Sequence, residues 1–233
     1  MDAITTLNVL SSDECGAARS TILDLRGSWL RRNPYFPFFT LGAASYIDAT
    51  ADRQEYYSKA REFNPLLSRN FGWLYDKLVR ALQAHFGAPV IFAPSQALPG
   101  YHIYLAHPIF EKPIGSIHCD TQYRLLDWTG VERADYDHPM SFTLSIALPQ
   151  CGGGLNLWEL HHDDIAGLNM QELARRVGNS ERRYFSYEAG QLVLHSGHTL
   201  HQAAPATQVR ESDERITLQG HALCCDGVWK LYW

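Results

Sequence analysis

The sequence predicts a mainly β protein, a β-sandwich or jelly roll buttressed by amino-terminal helices. Helical periodicity is confined almost entirely to residues 1–89, and short β-type runs separated by turn residues fill 90–233. Strands do not alternate with long helices, so a βαβ fold is excluded. The chain has 233 residues, 45% apolar and 12% aromatic, which suffices for one well-buried core. A single domain over 1–233 is expected, with 1–89 as a helical support region and 90–233 as the β core.

In chain order, Ser11-Ser12-Asp13-Glu14 opens with a Ser-x-x-Glu capping box. Ala17, Ala18, Ile22 and Leu25 then recur at helical spacing, which predicts a first helix over about 12 to 25. Tyr35-Phe36-Pro37-Phe38-Phe39 is aromatic and broken by proline, so a loop or short strand is expected there, either walling a pocket or filling the core. A helical pattern resumes near Asp52 and is interrupted at Asn64-Pro65, where asparagine can cap and proline can begin a new segment. Leu67, Phe71, Leu74, Leu78 and Leu82 step by three and four until Gly87 and Pro89 close a long amphipathic helix. Strand-like runs follow at Val90 to Phe92, Tyr101 to Ala106, Ser141 to Leu148, Leu155 to Leu160, Gln191 to Leu194, Arg215 to Leu223 and Val228 to Trp233. Gly152-Gly153-Gly154 marks a turn, and Met170 to Val177 is the one helical run in this half.

A net charge of −5 and a pI near 6.1 supply no basic field for a polyanion, so nucleic acid is not an expected partner. A small, neutral or cationic substrate fits better. No run of eighteen apolar residues occurs, and the amino terminus lacks the pattern of a secretory signal. No membrane association and a cytoplasmic location are the expectation. Five cysteines without a C-x-x-C pair suggest reduced thiols, and Cys224 and Cys225, adjacent on a strand, point to opposite faces.

The strongest local signal is Ile117-His118-Cys119-Asp120. In extended backbone His118 and Asp120 share a face and can approach one metal while Cys119 points away. H-x-D by itself is a common coincidence. A second cluster raises its weight: Gly190-Gln-Leu-Val-Leu-His195-Ser-Gly-His198-Thr-Leu-His201-Gln-Ala-Ala-Pro205, then Arg215-Ile216-Thr217. Two imidazoles and one carboxylate on one face of an octahedral ion leave three adjacent positions open. Two can take a bidentate 2-oxo acid and the third dioxygen, and an arginine fork can hold the far carboxylate of the oxo acid. Arg215 and Thr217 share a strand face, so both can reach that carboxylate. His195, His198 and His201 compete for the second imidazole.

H-x-D, a distal histidine about eighty residues later in a G-x-L-x(8)-H-x-x-x-P context, and R-x-T, in this order over residues 98 to 223, resemble the Fe(II)- and 2-oxoglutarate-dependent dioxygenases. The prolyl-hydroxylase-like and phytanoyl-type branches are the most similar. The resemblance implies a double-stranded β-helix, a cupin-like jelly roll, behind the amino-terminal helices. It implies iron held by His118, Asp120 and His201, and 2-oxoglutarate held by Arg215 and Thr217 with Tyr104 on an early strand. His201 is preferred because Gln-Ala-Ala-Pro follows it and Arg215 lies fourteen residues on. Fe(II), 2-oxoglutarate and O2 would then hydroxylate a small molecule, such as an amino acid or biosynthetic intermediate, with release of succinate and CO2. An intact Asp120 argues against halogenation, while desaturation and ring formation stay open. The alternatives are a His/His/Asp zinc hydrolase, which leaves Arg215 without a role, and a non-catalytic metal-binding β-barrel.

Other candidates have plainer readings. His198 is expected in a loop, and His195 near the site or satisfied in the core. His161-His162-Asp163-Asp164 is expected as a solvated turn, and His102 and His221 as hydrogen-bonded residues that can project into the barrel. Trp158 is either packing or a pocket wall. Arg124 can meet an acidic substrate or solvent. Oligomeric state is not legible.

Overall fold

A computed structural model of the chain describes residues 4–233. Its largest element is a nine-stranded sheet. The main path runs β1 (Thr5–Asn8), β9 (Gln191–Ser196), β6 (Met140–Ala147), β11 (Glu214–Cys225), β5 (Gly100–Leu105), β3 (Phe38–Leu41) and β2 (Leu30–Arg31), while β12 (Val228–Tyr232) joins β11 to β4 (Val90–Phe92). A smaller sheet pairs β10 (Thr199–Ala203), β7 (Leu155–His161) and β8 (Arg182–Phe185). The seven expected strands form within a residue or two of their predicted bounds. Strand β3 begins within the Tyr35–Phe39 segment expected as a loop or short strand, and β1, β2, β8 and β10 were not anticipated. The first three lie before residue 90 and extend the sheet, so the segment ahead of the β core is not purely helical.

The two faces of the large sheet differ in chemistry, and the reason is the period-two alternation of its central strands. Phe142, Leu144 and Ile146 of β6 and Ile216, Leu218 and Ala222 of β11 face one way, into a core shared with Phe71, Leu74, Leu78 and Leu82. Ser141, Thr143 and Ser145, with Arg215, Thr217, Gln219 and His221, occupy the opposite face.

Helix α1 (Ser12–Asp24) begins with the predicted capping box: Glu14 N donates to Ser11 Oγ at 3.3 Å, and Ser11 N to Glu14 Oε2 at 2.9 Å. Helix α2 (Ser45–Ala51) precedes α3 (Arg53–Phe86), which ends on Gly87 at φ 62°. The expected break at Asn64-Pro65 does not occur, because α3 runs straight through it. Tyr56, Ala60, Phe63, Leu67, Phe71, Leu74, Leu78 and Leu82 form one buried stripe across the proline, and continuous packing outweighs the one lost backbone bond. Asn64 is not a cap; its side chain holds the loop before β5, donating to Gln96 O and accepting from Leu98 N, each at 2.9 Å. The helical geometry departs at Phe71 instead, with φ −124° and ψ 16°. Helices α4 (His162–Ile165) and α5 (Met170–Gly178) follow β7. No helix among the described residues is long and apolar enough to cross a membrane, and the five cysteines are free thiols.

Candidate metal centre and cosubstrate cavity

His118 and His201 are brought together by a two-residue antiparallel bridge. His118 N donates to His201 O at 3.0 Å, and His201 N to His118 O at 2.9 Å. Asp120 N reaches Gly197 O in the β9–β10 turn at 2.6 Å, which closes the H-x-D segment onto the same hairpin. Nε2 of His118 then lies 3.4 Å from Asp120 Oδ1, and Nε2 of His201 lies 3.3 Å from Oδ2. These three residues are the one group of histidines, cysteines and carboxylates among the described residues with ligand atoms mutually within 4.8 Å. Cys119 points away, its thiol toward His198 O at 3.2 Å, in a cluster with Trp158, Leu160 and Leu200. Trp158 packs in this cluster and is not among the residues that line the cavity beside the three ligands.

The donor set fits a divalent cation. Nδ1 of His118 meets Ser116 O and Nδ1 of His201 meets Thr199 O, each at 2.9 Å. A carbonyl only accepts, so both Nδ1 atoms carry a proton, and Nε2 is the atom of each ring that faces Asp120 and could coordinate an ion. Burial resists ionisation of Asp120, but the neighbouring imidazoles of His201, His221 and His118 outweigh it and hold the carboxyl well below its usual range. Gln122 Nε2 donates to Oδ1 at 2.9 Å and Ser141 Oγ to Oδ2 at 2.6 Å.

The cluster opens into a cavity of about 840 Å3. Arg215 and Tyr104 line it, as do His195, His221, His102, Gln219, Thr143 and Tyr187. Nε of Arg215 donates to Gly153 O at 2.8 Å, and its guanidinium carbon lies 5.6 Å from the Tyr104 ring centroid and 5.8 Å from that of Tyr187. Gly153 accepts from Arg215 within a tight turn: Gly152 and Gly153 have φ of 80° and 74°, and a Cβ on Gly152 would meet Pro205 O at 2.5 Å. The glycine run is thus the mount of the arginine. With Nε committed, the terminal nitrogens of Arg215 have no protein partner among the described residues.

Thr217 shares the strand face of Arg215 but does not line the cavity. It is fully buried behind the cavity wall, and Gln219 Nε2 donates to its hydroxyl at 2.9 Å. Gln219, which the sequence reading passed over, presents the polar surface at that level. In the register Thr217 is flanked by His102 and Ser145, whereas Gln219 is flanked by Gly100, which has no side chain, and Thr143.

His195 faces the cavity with its ring 4.6 Å from that of His201, and burial pushes its pKa down to about 4. His198 occupies the β9–β10 turn, its Nε2 3.0 Å from Tyr123 Oη. His102 is held by Tyr46 Oη at 2.7 Å, and burial, reinforced by Arg215 and Arg32, takes its pKa to about 3. Of the His161–Asp164 segment, the two aspartates are exposed on the short α4 and the two histidines are part-buried, so the segment is a helical turn solvated on one side only. Arg124 is exposed at the cavity edge against the Tyr123 ring. The sequence reading missed Gln122, Ser141, Gln219, Tyr46 and Tyr187. For Ser141 and Gln219 a signal exists in the polar–apolar alternation of Ser141-Phe-Thr-Leu-Ser-Ile146 and Arg215-Ile-Thr-Leu-Gln219; Tyr46 and Tyr187, on α2 and in a loop, have none.

No protein-family model and no curated protein matches the chain. Solved structures do. An N-substituted L-amino acid dioxygenase from Burkholderia ambifaria AMMD superposes with a TM-score of 0.61 at 16% identity, covering 99% of this chain and 86% of that one. The non-haem alpha-ketoglutarate-dependent carbocyclase SnoK from nogalamycin biosynthesis gives a TM-score of 0.52 at 13% identity, over 95% of this chain and 78% of that one. EctD from S. alaskensis gives 0.52 at 12%, over 94% and 72%. The chain therefore has the fold shared by these structures, two of which are named as an amino acid dioxygenase and an alpha-ketoglutarate-dependent enzyme.

Proposed function

We propose that the chain is a mononuclear Fe(II)- and 2-oxoglutarate-dependent oxygenase, a single double-stranded β-helix domain that hydroxylates a small molecule. The observation that carries this reading is one cavity with two ends: the His118–Asp120–His201 cluster, and Arg215 with its terminal nitrogens unengaged. In this reading iron and the oxo acid together supply the activation of dioxygen, with decarboxylation to succinate. Each part of the chain has a separable task. His118, Asp120 and His201 would hold the ion through two imidazole nitrogens and a carboxylate. Arg215 fixes the far carboxylate of 2-oxoglutarate, and Tyr104 and Tyr187 flank its guanidinium. The neutral imidazoles of His102 and His195 keep further positive charge out of the cavity.

The cavity volume falls within the range of small-molecule sites, about 300 to 1,000 Å3, and suits a cosubstrate together with a compact substrate. A solved neighbour crystallised with alpha-ketoglutarate, at a TM-score of 0.60 and 14% identity, supports the cosubstrate. The test is anaerobic titration of the Fe(II) protein with 2-oxoglutarate, watching for the visible charge-transfer band of a chelated oxo acid, followed by succinate release in air. A protein that binds Zn(II) but develops no band and no succinate returns the zinc-hydrolase reading.

A further inference from the structure

We infer that Ser141 and His221 are positioning residues for the metal carboxylate, a hydrogen-bonded chain in which His221 fixes the direction in which Ser141 donates. The inference rests on the metal site proposed above and names residues beyond the ligands. Ser141 Oγ lies 2.6 Å from Asp120 Oδ2 and 3.2 Å from His221 Nδ1. The serine hydroxyl has one proton, and the carboxylate can only accept. Ser141 therefore donates to Asp120, and Nδ1–H of His221 donates to Ser141. With that lone pair of Ser141 occupied from one side, its proton is directed to the other.

All three residues are buried, at 7% exposure or less for Asp120 and Ser141 and 8% for His221. The sheet register places the chain. Gly220 pairs with Phe142, which sets His221 beside Ser141 on the polar face, and Ser141 pairs with His195 on the other side. The ring of His221 is backed by Tyr232, 5.4 Å away between centroids. Gln122 Nε2 holds the other carboxylate oxygen at 2.9 Å. Asp120 is thus fixed at both oxygens by groups that are not themselves ligands, one of them through a relay. Loss of such an outer partner typically costs about 10- to 100-fold in metal affinity.

The experiment is an anaerobic Co(II) titration of the full chain, read by affinity and by the ligand-field spectrum, on the parent and on Ser141→Ala, Ser141→Thr, His221→Phe and His221→Asn. The asparagine amide nitrogen can occupy the place of Nδ1, and threonine keeps the hydroxyl. Expected are a loss of about 10- to 100-fold with an altered spectrum for Ser141→Ala and a smaller loss in the same direction for His221→Phe. Ser141→Thr and His221→Asn should return toward the parent in both readouts. Thermal melts of the metal-free proteins separate this from misfolding, since the Thr and Asn variants need only fold for the comparison to stand. A parent that binds Co(II) while Ser141→Ala binds it with the same affinity and spectrum overturns the chain and leaves the metal site intact. A parent that binds no Co(II) overturns the metal site, and the chain with it.

Discussion

Arg215 and Tyr104 are register partners on β11 and β5, and the guanidinium carbon of Arg215 lies 5.6 Å from the Tyr104 ring centroid. The arginine is held from behind by Gly153 O and along its face by the ring, so its terminal nitrogens are aimed before any ligand arrives. Removing one partner of a buried, hydrogen-bonded charge pair costs about 2 to 5 kcal/mol. At about 1.4 kcal/mol per decade, Arg215→Ala should lose roughly thirty-fold to several thousand-fold in 2-oxoglutarate affinity. Lysine should restore only part of this, since a point charge does not reproduce the fork. Iron binding should be unchanged. Titration of the charge-transfer band measures it, and an alanine variant that titrates like the parent removes the cosubstrate assignment.

The imidazoles around Asp120 are not equivalent. His118→Ala, Asp120→Ala and His201→Ala should each weaken Fe(II) binding by more than the 10- to 100-fold typical of an outer partner, with metal-free stability retained. His195→Ala should keep the ion, because its ring lies beside that of His201 but outside the cluster of mutually close ligand atoms. Equilibrium dialysis under anaerobic conditions decides between them; retention by His201→Ala together with loss by His195→Ala would reverse the assignment.

Asp48 organises a charge network around Arg32, which lines the cavity. At 2% exposure it accepts from both terminal nitrogens of Arg32 at 2.7 and 2.8 Å, from Lys59 Nζ at 2.7 Å and from Ala44 N at 2.9 Å. Burial raises its pKa, but the Arg32 guanidinium and Lys59 ammonium prevail and leave it below the ordinary value of 3.8. Its folded pKa is thus depressed relative to the unfolded chain. The stability it contributes is complete above the unfolded pKa and is lost as pH falls below about 4 through the folded one. Asp48→Asn should destabilise by about 3 to 5 kcal/mol at pH 7, and its urea midpoint should vary less than the parent's between pH 5 and pH 3. Parallel midpoint curves for the two proteins would rule the network out as an acid-sensitive element.

Gly100 lets the carboxy-terminal tryptophan reach the cavity. A Cβ built there would stand 2.2 Å from Trp233 Cζ3 and 2.8 Å from the backbone oxygen of Leu41, and the latter cannot rotate away. Gly100→Ala should cost about 1 to 3 kcal/mol by overpacking, lowering Tm by about 2 to 4 °C per kcal/mol in a chain of this size. A melt within 1 °C of the parent would show that the end of β3 carrying Leu41 yields more easily than the contact implies.

The sequence by itself determined the period-two strands, the capped α1 and the glycine end of α3, because each depends on neighbours within a few residues. It also determined that His118 and Asp120 share an approach direction, and the polar–apolar alternation of β6 and β11 already encodes a sheet with one apolar and one polar face. Tertiary structure decided the rest. Strand β10 is five residues long and was invisible as a run, yet its bridge to His118 is what brings His201 to the cluster. The proline in α3 carried a stop signal that only the buried stripe on the sheet could overrule. Thr217 and Gln219 alternate identically along β11, yet the first is flanked in register by His102 and Ser145 and the second by Gly100 and Thr143. Such pairings join residues far apart in the chain, and local periodicity contains no information about which strands will be adjacent.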